Sequence, residues 1–431
     1  SDGDTIELLA DCTLSANNGI KITSNITICG TGNETITVTA DRLPGDRMIE
    51  IKTESIESGL TLKDCNVYIS NIPTSNYAYN AVIIINGGKL VLDNCDMTLD
   101  GIQNDGTYNN MHGFWCLESG DNLLSVINGS NLLIQNFKHN ALEWDGTTDY
   151  YFEVKNSSFK AFNTRGGIIG TWNVTFDHAD VQVCNSSGNG SNGPHFIIKN
   201  SEVDFSNNGS HGLSAGNLTI EDSTVTAINN GYCGIVVGNK FEASGNTEIT
   251  VTGNAKKEDV GYAGFRLYGN CDHTIGEDCV VKINDNFNTG LYVRKGSLTV
   301  ADGAQLQITG NTVTNTLMDG YGGGVYVGYS TYDDVGDIVL PADAEIYNNH
   351  SLNGGDDIYV APGNGAVPTI SFGEVGDDWY LDGDPDCEDK ITGWFDDSEG
   401  DRWEAHDTPL HVEEFIVGSA AAHGTLALKA A

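Results

Sequence analysis

Proline and basic residues are scarce in this chain of 431 residues, which has 8 Pro and 21 Lys plus Arg against 60 Asp plus Glu, a formal net charge of −39. A body this acidic repels phosphate backbones and anionic lipid headgroups, so no nucleic-acid partner and no membrane-surface role is expected. It also disfavours polyanionic substrates such as pectate, unless metal ions or a local basic patch intervene. No run of about twenty apolar residues occurs, the length a helix needs to cross a bilayer, and no membrane insertion is expected. The ten cysteines include no CxxC pair, and the ten histidines lack the spacing of a zinc site. The opening SDGDTIELLADCTLS shows no signal peptide and reads as a mature N-terminus. Together with the acidic surface this suggests an extracellular protein, secreted or displayed on a cell wall.

What is abundant is turn-forming chemistry, with 53 Gly and frequent Asn, Asp, Ser and Thr. Such a chain reverses often between short strands and forms little helix. Between residues 152 and 230 the same phrase recurs as FEVKNSSFKAFN, VTFDHADVQVCN, FIIKNSEVDFSNN and LTIEDSTVTAINN. Ser157, Ala179, Ser201 and Ser223 mark it, as do Asn163, Asn185, Asn207 and Asn229. Apolar residues alternate on both sides of the small residue, the mark of two half-buried strands joined by a tight turn. A third short strand, opened by Gly, precedes them at Gly212, Gly234, Gly264, Gly290 and Gly323. Three strands per turn of roughly 22 residues describe an all-β, right-handed parallel β-helix. Looser copies upstream and downstream extend it to about twelve rungs. Residues 1–45 read as an N-terminal cap with the first rungs, 46–364 as the coil, and 365–431 as an acidic C-terminal cap or appended module, because a solenoid needs its ends covered.

Cys65 and Cys95 occupy the small-residue position and read as interior thiols, with a disulfide between adjacent rungs as the alternative. The asparagine file at Asn163, Asn185, Asn207 and Asn229 reads as an inward ladder of amides.

Because the fold also carries pectin and alginate lyases and polygalacturonases, enzymatic chemistry is an alternative role. GSHGLSAG, from Gly209 to Gly216, resembles a glycine-histidine-glycine stretch of polygalacturonases, but their other acidic and basic motifs are missing. His211 precedes Gly212 as His112 precedes Gly113, so the repeat explains the match. Glu143, Asp145 and Asp149 with Trp144 form a patch suited to sugar binding or hydrolysis, although the simplest reading is a solvated loop. Asp382, Asp384 and Asp386 alternate like the start of a calcium loop, but Cys387 stands at the turn position and no Glu follows at the twelfth, leaving at most an irregular Ca²⁺ site. No other cofactor is implied and no catalytic residue is assigned.

The corners say more. Insertions lengthen the connection between one rung and the next, and several carry tyrosine among Asn, Gly, Ser and Thr. Stacked rungs would bring Tyr79, Tyr108, Tyr232, Tyr262 and Tyr321 into a file along one edge, a composition typical of binding surfaces. Covering the corner is the plainer role for any one ring.

GDTIELLADCTLS, ITICGTG, the comb of rungs and the ending WYLDGDPDCEDKITGWFDDSEGDRWEAHDTPLHVEEF with ALKAA together resemble N-terminal modules of large surface proteins of gut Firmicutes. These are adhesin-like β-helix proteins, some of which bind immunoglobulins as B-cell superantigens. The resemblance spans essentially the whole chain and implies a non-enzymatic surface protein whose partner is a host protein, with the immunoglobulin Fab or variable domain as the sharpest candidate. The alternatives are a host glycan as partner, a carbohydrate-active enzyme, or a structural stalk.

Overall fold

The computed structural model describes residues 2–361 apart from 43–44, 46, 54, 71, 74–79, 104–105, 118–120, 145–149, 257–261, 317–319, 329–334, 342–343 and 354, together with 370–372, 391–396, 415–419 and 422–430. Among the described residues there is no helix. Within each of the two compact units described below, the strands up to Phe372 pair with their neighbours in parallel, rung upon rung. This is an all-β parallel β-helix. The chain divides into two compact units, Ser1–Gly209 and Ser210–Ala431.

In the first unit one turn runs through Ala81–Ile85, Gly88–Asp93 and Asp96–Asp100. The next runs through His112–Cys116, Asn122–Ile127 and Asn131–Gln135. The same order gives Ile235–Val237, Phe241–Ser244 and Glu248–Thr252 in the second unit. Each unit thus has three columns of strands, here called the opening, second and third sheets by the order of strands within a turn, although Ser191–Lys199 and Leu213–Glu221 each run through the first two. Alternation does the folding. In the third sheet Val67, Met97, Leu132, Phe159, Val181 and Val203 lie in register and are all buried. Each such side chain contributes about 1.5–3 kcal/mol of burial. The first strands, Asp4–Glu7, Cys12–Ser15 and Ile20–Ile22, already pair in this register. Near the other terminus the pairing changes, because Ile391–Asp396 and Phe415–Ser419 both run antiparallel to Ala422–Ala430.

The turn between second and third strands is built by two residues. The first adopts a left-handed conformation, at Asp64, Asn94, Asn156, His178, Asn200 and Asp222. Short polar side chains tolerate that region best. The second is the small residue, buried at Cys65, Cys95, Ala179, Ser201 and Ser223. Hydroxyls there link the rungs: Ser130 Oγ accepts from Cys95 N at 2.9 Å, and Ser201 Oγ from Ala179 N at 3.0 Å.

The asparagine file has a different role from the expected one. Asn163, Asn185, Asn207 and Asn229 all have positive φ, between 52° and 60°, so they turn the corner after the third strand. The inward ladder belongs to the following residue. In the second unit Asn230, Asn254, Asn286, Asn311 and Asn349 are buried and stacked. Each Nδ2 donates to the Oδ1 of the next, at 2.9 Å from Asn230 to Asn254 and 2.8 Å from Asn286 to Asn311. The same Oδ1 also accepts the neighbouring backbone N–H, as Asn286 Oδ1 does from Asn254 N at 2.9 Å. Asp357, fully buried, ends the series by accepting from Asn349 Nδ2 at 3.0 Å. A ladder that donates in one direction needs only an acceptor at its last step, and a carboxylate is one.

This ladder accounts for the glycines that open rungs. A Cβ on Gly264 would lie 2.5 Å from Asn286 Nδ2, and one on Gly290 would lie 2.7 Å from Asn311 Nδ2. The equivalent residue in the following rung is Gly324, 2.8 Å from Asn349 Nδ2, rather than the Gly323 that the sequence pattern suggests.

Candidate functional site

Of the five corner tyrosines, Tyr79 lies outside the described residues, and Tyr108 belongs to the first unit, where it bridges Ile102 and is 38% exposed. The other three are in the second unit and are half-buried. Tyr232 and Tyr262 stack with ring centroids 4.4 Å apart, and the ring of His211 meets Tyr262 edge-on at 5.0 Å. Tyr321 stacks on Tyr359 at 4.4 Å with the planes 10° apart. Tyr262 and Tyr321 are not in direct ring contact. Both belong to a longer array that runs from the His211, Tyr232 and Tyr262 group to Tyr321.

The interior of that array comes from the opening sheet. Arg266, Tyr292, Tyr326 and Tyr359 are in register at the middle of successive three-residue strands. Their neighbours Phe265, Leu291, Val325 and Ile358 are core residues. By strand alternation the middle residue points away from the core. Even so, Tyr292 is 1% exposed and Tyr326 2%, because aromatic and guanidinium groups cover them. Tyr292 and Tyr326 lie 5.1 Å apart, and Tyr326 and Tyr359 5.2 Å. The Arg266 guanidinium lies 4.1 Å from the Tyr268 ring centroid, 4.9 Å from Tyr292 and 5.9 Å from Tyr262. Arg294 approaches Tyr268 at 4.7 Å, so that ring contacts two cations. The sequence reading missed Arg266, Tyr268, Tyr292, Arg294, Tyr326 and Tyr359. The signal was present in the triplets FRL, LYV, VYV and IYV, where a large polar or aromatic residue stands between two apolar ones.

The electrostatics keep this surface in one protonation state. Burial, helped by Arg266, pushes His211 down to about 4, so its imidazole is neutral. Burial and nearby Cys233 and Tyr232 push the Tyr262 hydroxyl up, so it stays a neutral hydrogen-bonding group. The His211 imidazole is thus half-buried, neutral and packed on two tyrosines. Rings held by other rings lose little freedom on binding a partner, and each aromatic pair adds about 0.5–1.5 kcal/mol of packing.

In the first unit, Glu143 and Trp144 lie on the opening-sheet strand Leu142–Trp144. Asp145 and Asp149 lie outside the described residues, as do Asp382, Asp384 and Asp386. Among the described residues no group of three or more His, Cys, Asp or Glu side chains is arranged to hold a metal.

No family model and no curated protein matches the chain. Among solved structures it is similar to two modules from Azotobacter vinelandii. The A-module of mannuronan C-5 epimerase AlgE6 has 14% sequence identity and a TM-score of 0.36, over 76% of this chain and 90% of that one. The A-module of mannuronan C-5 epimerase AlgE4 has 10% identity and a TM-score of 0.30, over 83% of this chain and 92% of that one. The likeness concerns the fold alone.

Proposed function

We propose that the chain is a non-enzymatic, extracellular binding protein of the adhesin-like kind, and that the tyrosine array of the second unit is where it meets a folded host protein. The stacked, half-buried pair Tyr232 and Tyr262, backed by His211 and Arg266, carries this reading. Protein interfaces draw their energy from a few rigid aromatic and arginine anchors, and this array supplies both residue types already ordered. The resemblance to immunoglobulin-binding β-helix proteins supplies the candidate partner, an antibody variable domain. Biolayer interferometry against Fab fragments of different heavy-chain families tests it. Saturable capture that follows framework family and ignores antigen specificity is the expected outcome. Absence of capture across the panel sinks the immunoglobulin reading.

A further inference from the structure

On the opening sheet of the first unit a second cluster gathers polar groups that the coil does not need. Trp115 and Glu143 are in register on adjacent rungs, and residues at the middle of these strands point away from the core. Around them stand His112, His139, Asn140, Trp144 and Arg165. Asn140 Nδ2 donates to Glu143 Oε2. Asn140 N donates to His112 Nδ1 at 3.3 Å, which makes Nδ1 an acceptor and leaves the imidazole proton on Nε2. The His112 ring lies 4.8 Å from His139 and 4.9 Å from Trp115, and His139 Nε2 is 2.9 Å from Asn110 Oδ1. Trp144 is half-buried, and its Nε1 is buried with no hydrogen-bond partner among the described residues. An indole donor without an acceptor calls for an explanation in a native structure.

The charges of the cluster nearly cancel. Burial pushes His112 down to about 3 and, with Arg165, holds His139 below its usual range, so both imidazoles are neutral near pH 7. Glu143 brings one negative charge and the exposed Arg165 one positive. Anionic ligands meet a protein of net charge −39, and cationic ones find a single carboxylate whose Oε2 is already hydrogen-bonded. What remains is a ligand rich in hydroxyls and uncharged.

We propose that this cluster binds a neutral glycan, with Glu143 and His139 hydrogen-bonding sugar hydroxyls, His112 supporting them from behind, and the indole of Trp144 packing on an apolar sugar face. The site is independent of the tyrosine array, and no bond cleavage is assigned to it.

Isothermal titration of the whole protein with mannan, galactan, xylan and glucan oligosaccharides, beside alginate and polygalacturonate oligomers, tests the proposal. At least one neutral series should bind saturably and the uronates should not. Glu143→Gln and Trp144→Ala should each weaken that binding about tenfold, the loss of one charge-assisted bond or one stacked ring. Tyr262→Ala should leave it unchanged. If Glu143→Gln fails to fold, His139→Ala carries the same expectation. No binding of any neutral series at millimolar concentration, or binding that survives both variants, overturns the proposal. So does a Glu143→Gln protein that loses Fab capture while no glycan binds, which would assign the cluster to the protein-binding surface.

Discussion

The ring of Tyr232 stacks on that of Tyr262, with centroids 4.4 Å apart and planes 30° apart, although thirty positions separate them in the chain. The intervening turn of coil returns the backbone to the same corner one rung later. Anchors offered this way are rigid without being buried, the condition under which truncation should harm binding more than folding.

Tyr262→Ala is therefore expected to reduce partner affinity at least about tenfold while costing roughly 1–3 kcal/mol of stability, the worth of its two ring contacts. Interferometry and a thermal melt measured on the same sample separate the two effects. Full affinity in the variant would move the contact surface elsewhere.

The amide ladder predicts an asymmetry between neighbouring asparagines. Asn286→Ala removes the acceptor of the buried Asn254 N–H, and an orphaned buried donor costs about 1–3 kcal/mol in addition to the bonds lost. Asn229→Gly keeps a left-handed corner with a residue that favours it, at φ 60°, and should be close to neutral. Chemical denaturation of both variants decides the matter. Equal losses would mean that the inward and corner positions are not distinct.

Cys65 and Cys95 are buried with their sulfurs 3.8 Å apart, closer than any spacing argument could specify and still unbonded. Alkylation in denaturant without reductant should label both. Recovery of a peptide joined through these two residues would establish the inter-rung disulfide instead.

The neutral histidines His112, buried, and His211, half-buried, also make a prediction about acid. His112 is held near 3 and His211 near 4 in the folded chain, against about 6.5 when unfolded. In the window between those values the unfolded state binds more protons, so each histidine removes stability as the pH falls from about 6.5, by up to about 1.4 kcal/mol per unit. Protonation of the many carboxylates relieves charge repulsion over the same range and acts in the opposite sense. Comparison with His112→Gln isolates the imidazole. The variant should lose less stability than the wild type between pH 6.5 and 4, and parallel curves would show that His112 is not neutral in the fold.

The parallel coil, its three strands per rung and the small residue at each tight turn were all written in the chain. They depend on period-two alternation and on local turn chemistry, which neighbouring residues decide among themselves. Which asparagine of a pair points inward was not legible, since Asn207 and Asn208, or Asn229 and Asn230, are chemically alike. Corner geometry separates them, by giving the first of each pair positive φ and burying the second.

Local alternation with core residues is enough to put Arg266, Tyr292, Tyr326 and Tyr359 on the outer face of a strand. That this face is covered is a matter of long-range packing, because Tyr262, Tyr268 and Tyr321 reach it from other positions in the chain. The same is true of His112 and Glu143. Alternation assigns Glu143 a face, but the stacking of rungs is what brings side chains thirty-one positions apart to within 3.9 Å. Strand pairing is a long-range property, and local pattern carries no record of which rung a side chain will meet.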